Sequence, residues 1–382
     1  MTTLARTVGT SRRRPAFDIV LGVATVMVAL IGVVMVYTAT RGTLVAEGSD
    51  PHYYLKRQLL FVVLGVIAMV VVAAFDYRRL EPLAMVFYVL IVLALLGVYV
   101  VGSHAQGSQR WFSLGFLQIQ PSEFAVLAVI LAVASYCDKR TEEGLAWRDV
   151  FRLLILAAIP TALVLGQPDL GTAIIMLVVL LVMLAVAGLP ARILVLLILG
   201  VVLVALVAIE SGLLHSYQIA RLGTFLNPNS TSTNQFVQQT IYNTKEAKIA
   251  IGSGGIFGSG IGHGAQTNLG YVPEQQTDFI FTAVAEQLGF VGSVAVLALL
   301  GAIAWRMLRA AGQSRDVFGR LMCTGIFTFV AFSVFQNAGM TMGIMPITGI
   351  PLPLVSYGGT AVLCFFIAAG LALSVGVHRR RR

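Results

Sequence analysis

The sequence predicts an all-α polytopic membrane protein with ten transmembrane helices, both termini cytoplasmic and one large extracytoplasmic loop between the seventh and eighth helices. Three observations predict it. The 382-residue chain is 58% hydrophobic and only 11% charged, with a mean hydropathy of +0.88, a balance that no water-soluble surface tolerates. Ten apolar runs, at 17–39, 58–75, 82–101, 121–136, 151–166, 171–188, 191–209, 279–305, 318–337 and 359–377, approach the roughly 20 residues that cross a hydrocarbon core. An even number of spans puts both termini on one side, and nineteen of the 26 Lys and Arg fall there against seven on the other. By the positive-inside rule the terminal side is cytoplasmic. The net charge of +9 is therefore an orientation signal, and nucleic acid is excluded as a partner.

Taken in order, a basic N-terminus (1–16) ends in Arg12, Arg13 and Arg14, and the span that follows is too long, and lacks the small-residue cleavage site, to be a signal peptide. Lys56 and Arg57 close the first outer loop, where anchoring at lipid headgroups is the preferred role for Arg57 over contact with an anionic ligand. Residues 76–81 make a solvated inner connector. After the third span, 102–112 is rich in turn formers and becomes aromatic at Trp111 and Phe112. Gln120-Pro121-Ser122-Glu123 opens the fourth span with proline in the first turn and an acid at the positive helix end. Glu123 is thus either a helix-end acid or the partner of Arg110 in an outward-facing cavity. Asp169, after the helix-breaking Pro168, reads first as a cap. Cys137, Cys323 and Cys364 suggest neither disulfide nor zinc, and His52, His104, His215, His263 and His378 are too scattered to build a metal site. A basic tail (378–382) ends the chain.

The loop 210–278 is the only extramembrane segment large enough for structure of its own. Residues 235–251 read as a helix with Gln238, Ile241, Lys245 and Lys248 on one side. The glycine-rich run 252–264 resembles a phosphate loop only weakly, because it lacks the Gly-Lys-Ser/Thr ending. The loop closes on Glu274 and Asp278, immediately before an apolar run. An acid at a membrane boundary is costly unless solvated, paired or used, so Asp278 is either a working residue or the N-cap of the next helix. Glu286, two turns on, is placed inside the bundle. Between the last two spans, 337–359 is dense in Gly and Pro; such irregular backbone at membrane depth must line a cavity, the same one as the long loop.

These stretches together resemble a known family. Arg110-Trp111, QPSE at 120–123, QPDLGT at 167–172, AIGSGG at 250–255, PEQQTDFIF at 273–281 and GIPLPLVSYGG at 349–359 are similar, in order and over essentially the whole chain, to the SEDS family, the RodA and FtsW group of cell-wall polymerases. The form of the last motif is nearer to the RodA, or elongation, branch. The resemblance implies one SEDS domain over 17–377. It also implies a peptidoglycan glycosyltransferase that polymerises lipid II at the outer face of the cytoplasmic membrane during elongation and shape maintenance, partnered by a class B penicillin-binding protein. The family's essential acid maps onto Asp278, which suits the chemistry: a positioned carboxylate takes the acceptor hydroxyl's proton. Arg110 and Glu123 are carried over from their motifs. Arg221, Lys245 and Lys248 are the further cations available to the lipid pyrophosphate, and Glu274 and Ser356 complete the expected substrate-binding set. A divalent cation, magnesium or manganese, is expected to arrive with the pyrophosphate. The chain departs from the family at Val126, where lysine is usual, and in Gln287 and Thr360. Two other readings compete: a lipid II flippase or transporter, since ten spans with intramembrane acids suit one, and a weakly active scaffold for the transpeptidase, motivated by Val126.

Overall fold

The computed structural model describes residues 18–105, 108–114, 117–140, 145–211, 216–227 and 232–378; the basic N-terminus and, His378 apart, the basic tail lie outside them. Helices α1 (Ile19–Ala46), α2 (Tyr53–Ala74) and α3 (Ala84–Val101) precede three short strands, β1 (Ser103–Ala105), β2 (Ser108–Leu114) and β3 (Leu117–Ile119). Helices α4 (Pro121–Asp138), α5 (Trp147–Gly166), α6 (Leu170–Val186) and α7 (Ala191–Glu210) follow. The long loop holds α8 (Ser216–Leu226), α9 (Gln235–Ser253) and α10 (Ala265–Asn268), and the chain closes with α11 (Ile280–Gln313), α12 (Val317–Met342) and α13 (Gly359–His378). Among the described residues nine of these helices are long and apolar enough to cross a membrane, and α6, with 17 residues, makes the tenth. Each coincides with one of the ten expected runs, and the chain is a multi-pass membrane protein.

The apolar runs underestimate some helices. α1 continues past residue 39 because Thr40 and Thr43 return their hydroxyls to carbonyls within the helix, and Gly42 leaves room for the backbone of Asn268 in α10. Helix α2 packs along α13, α11 along α12, α1 on α11, and α3 and α12 on α4. Helices α4 and α13 are the most enclosed, and Val126 in α4 is 1% exposed in the main core. Helix α7 buries no residue and packs on α6.

The small antiparallel sheet, ordered β1-β2-β3 with Phe112 opposite Ile119, was not expected from a loop rich in turn formers. Its strands are too short to show alternation, but it fixes Arg110 and Trp111 over the bundle. Between α12 and α13 the irregular segment is held by side-chain amides. Gln336 donates to Pro346 O at 2.9 Å, Asn337 to Ile350 O at 2.8 Å and Gln58 to Ser356 O at 3.2 Å. These contacts satisfy backbone groups that lipid leaves unpaired.

Helix α11 is broken at Gly289, which takes φ 68° and ψ −166°. The glycine-rich run packs into this break: Ser259 and Gly260 donate backbone N–H to the carbonyls of Glu286 and Gln287, while Phe290 and Val291 donate to those of Gly255 and Ile256. Its glycines serve backbone-to-backbone contact, not a phosphate. His263 is exposed, with its ring nitrogen on Ile261 O.

Candidate active site

At the end of the bundle that carries the long loop lies a cavity of about 1020 Å³. Its walls are α2, β2, the N-terminal turn of α4, residues 168–172, α8, α9, the turn 273–279 and the segment 347–361. Residues of both irregular segments thus line one cavity. Arg110, Glu123, Arg221, Glu274 and Asp278 of the expected set all face it.

The turn before α11 presents Asp278. Asp278 and Phe279 donate backbone N–H to Glu274 O, and Glu274 takes the left-handed conformation, φ 51°. Three contacts clamp the turn from inside: Tyr357 N–H donates to Gln276 O, Ser356 Oγ to Thr277 O at 2.6 Å, and Asn337 Nδ2 to Asp278 O at 2.8 Å. The N-cap position of α11 is Phe279, with no side-chain cap, so Asp278 does not cap the helix. Its carboxylate is half-buried and accepts no hydrogen bond from the described residues. A Cβ on Gly349 would sit 3.2 Å from Asp278 Oδ2 and 3.7 Å from Arg221 Nη1, so the missing side chain there gives the acid and the guanidinium a common opening. Burial pushes the Asp278 carboxyl up to about 6; Arg221 opposes the shift and Glu274 adds to it.

Three guanidinium groups line the cavity with this acid, and two of them, Arg221 and Arg110, act on its carboxyl. Arg110 is held by its Nε on Gln167 O at 2.7 Å and Nη2 on Pro168 O, and its other N–H donors meet no acceptor among the described residues. Arg221 lies over the Tyr217 ring, 5.4 Å from its centroid. Arg57, placed by sequence at the headgroups, instead lines the cavity, 4.6 Å above the Tyr53 ring and beside Tyr357. A basic residue at a span mouth looks the same in sequence whether it turns outward or inward, so composition gave no signal. The aromatic pair Tyr53-Tyr54 preceding it is the one sequence feature that marks a stacking platform.

Other expectations are corrected. Lys245 and Lys248 are exposed and do not line the cavity. Helix α9 turns Phe236, Gln239, Thr240 and Asn243 inward; at 3.6 residues per turn this face lies roughly half a turn from the one carrying both lysines. Ser356 is 2% exposed and ties the turn to Leu352 N and Thr277 O, so it is a strut and not a substrate ligand. Arg110 and Glu123 share the cavity without forming an ion pair. Asp169 caps α6 as expected, accepting from Thr172 N–H and Oγ1, Gln120 Nε2 and Ser122 Oγ. Val126, one turn beyond Glu123, packs in the core.

A raised carboxyl fixes the sign of the pH dependence. If ionised Asp278 is the working form, its protonated share grows as pH falls through about 6, well above the usual Asp value. The turnover rate on substrate is expected to fall about tenfold per pH unit below that midpoint and to level off above it. A rate–pH profile tests this; a midpoint near 4, or a rate that rises on acidification, contradicts it.

A family model described as cell cycle protein, for FtsW, RodA and SpoVE, matches residues 19–381. The chain is 37% identical over 339 residues to the peptidoglycan glycosyltransferase MrdB of Escherichia coli (strain K12), covering 88% of each chain. It is similar to the solved rod shape determining protein RodA of Thermus thermophilus, with a TM-score of 0.70 and 30% identity, over 96% of this chain and 99% of that one. With the same coverage and identity, and a TM-score of 0.79, it matches a chain from a peptidoglycan synthase complex that coordinates polymerization and crosslinking.

Proposed function

The chain belongs to the FtsW, RodA and SpoVE family and is a peptidoglycan glycosyltransferase; we propose that it polymerises lipid II at the outer face of the cytoplasmic membrane, with Asp278 as general base. The observation that carries this reading is the Asp278 carboxylate itself. It faces the cavity, takes no hydrogen bond from the described residues, and is raised by burial to about 6 against the pull of Arg221 and Arg110. The acceptor hydroxyl oxygen bonds to the anomeric carbon of the donor sugar, its proton passes to Asp278, and the anomeric C–O bond breaks with its electron pair leaving on the lipid diphosphate. The growing negative charge on that leaving group is met by Arg57, Arg110 and Arg221, whose forked donors match phosphate oxygens.

A divalent cation, magnesium or manganese, would come in on the diphosphate and help to neutralise its charge. Of the two acids at the α4 and α6 ends, Glu123 rather than Asp169 would hold its protein side, because Glu123 accepts no hydrogen bond from the described residues whereas four donors already occupy Asp169; among the described residues no three acids or histidines converge on one point. The outward orientation is supported by the excess of Lys and Arg at the opposite end of the bundle. The partner is a class B penicillin-binding protein docking through a membrane helix and the outer loops. The similarity to a chain from a peptidoglycan synthase complex supports it. The GIPLPLVSY form supports a role in elongation.

Val126 leaves no charge at the position where lysine is usual, and Arg57 is a further cavity cation available to the diphosphate. Arg57→Met is expected to raise KM for lipid II roughly tenfold, the loss of about one charge-assisted hydrogen bond. An unchanged KM in steady-state polymerisation removes Arg57 from the site. Purified chain given lipid II tests the whole reading: glycan polymer supports the enzyme, movement of lipid II across the bilayer without polymer supports a flippase, and neither supports a scaffold.

A further inference from the structure

The buried acid Glu286 does not line the cavity, yet it begins a directed chain of hydrogen bonds that ends at the catalytic turn. Its Oε1 accepts Gln266 N–H at 2.7 Å, and its Oε2 accepts Thr267 N–H at 2.9 Å and Thr267 Oγ1–H at 2.6 Å. The Thr267 hydroxyl has then spent its only proton, so its oxygen accepts from Gln275 Nε2 at 3.2 Å. The second hydrogen of that same Nε2 goes to Thr282 Oγ1 at 3.0 Å, whose own proton is committed to Phe279 O at 2.7 Å. Glu286, Thr267, Gln275 and Thr282 are all at most 2% exposed, so bulk water does not compete for these contacts.

We propose that Glu286, acting through Thr267 and Gln275, is a positioning residue that sets the catalytic turn and so the aim of the Asp278 carboxylate; this rests on Asp278 being the base. The polarity of the chain is what matters. A carboxylate is acceptor-only, so it forces the Thr267 proton toward itself and presents a lone pair to Gln275. An amide at 286 keeps only one acceptor oxygen and must set its NH2 against a backbone donor, Gln266 N–H or Thr267 N–H, so the head of the chain loses an acceptor and its hold on Thr267 loosens. The inner side of the turn is held independently by Ser356, Tyr357 and Asn337, so loss of the outer chain tilts the turn without releasing it. Small misplacements of a reacting group cost rate, not substrate affinity.

The test compares Thr267→Val, Thr267→Ser and Glu286→Gln in the full-length purified chain, measuring kcat and KM for lipid II polymerisation and thermal unfolding. Thr267→Val keeps the shape and removes only the hydroxyl. It is expected to lower kcat on the order of tenfold with KM within about twofold. Thr267→Ser restores the hydroxyl and is expected to restore the rate. Glu286→Gln is expected to lower kcat similarly, and adding Thr267→Val to it to cost little more, since both act on one chain. The proposal is overturned if Thr267→Val keeps its kcat within twofold of wild type, whatever its melting temperature, if it raises KM instead, or if Thr267→Ser is as slow as Thr267→Val. Should Glu286→Gln fail to fold, the two threonine variants decide alone. Failure of the underlying reading looks different: there the wild type makes no polymer, or Asp278→Asn stays active.

Discussion

Asp278→Asn is expected to reduce lipid II polymerisation by on the order of a thousandfold while leaving the protein folded. Asparagine has the shape of aspartate but cannot accept a proton at neutral pH, so the change deletes the base and little else. No hydrogen bond from the described residues is lost with the carboxylate charge, and the turn is held through the backbone oxygens of Gln276, Thr277 and Asp278. The effect on stability has a defined sign. Folding raises this carboxyl from its ordinary value to about 6, so between roughly pH 4 and 6 the folded state binds more protons than the unfolded state, and stability from this group is lost as pH rises through that window. At pH 7 the ionised acid is a burden on the fold, and Asp278→Asn should melt no lower than wild type. A melting temperature several degrees lower, accompanying the lost rate, contradicts this account.

Gly289→Ala is expected to have the largest effect of any substitution outside the cavity. At φ 68° and ψ −166° its backbone lies in a region essentially restricted to glycine, which costs any other residue about 1–3 kcal/mol. Space makes it worse, because the added Cβ would fall on Gly258 N and Ile256 O, backbone atoms that do not swing aside. The glycine-rich run must then leave the break in α11, giving up its backbone hydrogen bonds to Glu286, Gln287, Phe290 and Val291. The melting temperature should fall by several degrees and polymerisation with it. Gly301→Ala, on the same helix with nothing within 4 Å of its Cβ, serves as the control and should be neutral or stabilising by about 0.5–1 kcal/mol. Equal melting temperatures for the two variants contradict the argument.

The apolar runs made the ten spans legible because burial in lipid leaves a composition signal that no soluble segment shares. Asp278 and Glu123 were legible as candidates for the same reason: each stands at an abrupt boundary of a greasy run, where a charge is costly unless used. What the sequence did not show was direction. The face of α9 that turns inward is set by packing against α8 and α11, and its polar residues, Gln239, Thr240 and Asn243, are no more distinctive than the outward lysines. Arg57 and Ser356 exchanged expected roles for the same reason, one turning into the cavity and the other away from it. The glycine-rich run resembles a phosphate loop only weakly, and the close approach its glycines allow is to its own chain at the break in α11.

The central claim is that Asp278 performs chemistry and does not merely bind. It is tested most directly by titrating lipid II against purified Asp278→Asn and measuring bound substrate and glycan polymer in the same sample. Affinity is expected within about threefold of wild type, with no polymer. Polymer formed at more than about a tenth of the wild-type rate contradicts it.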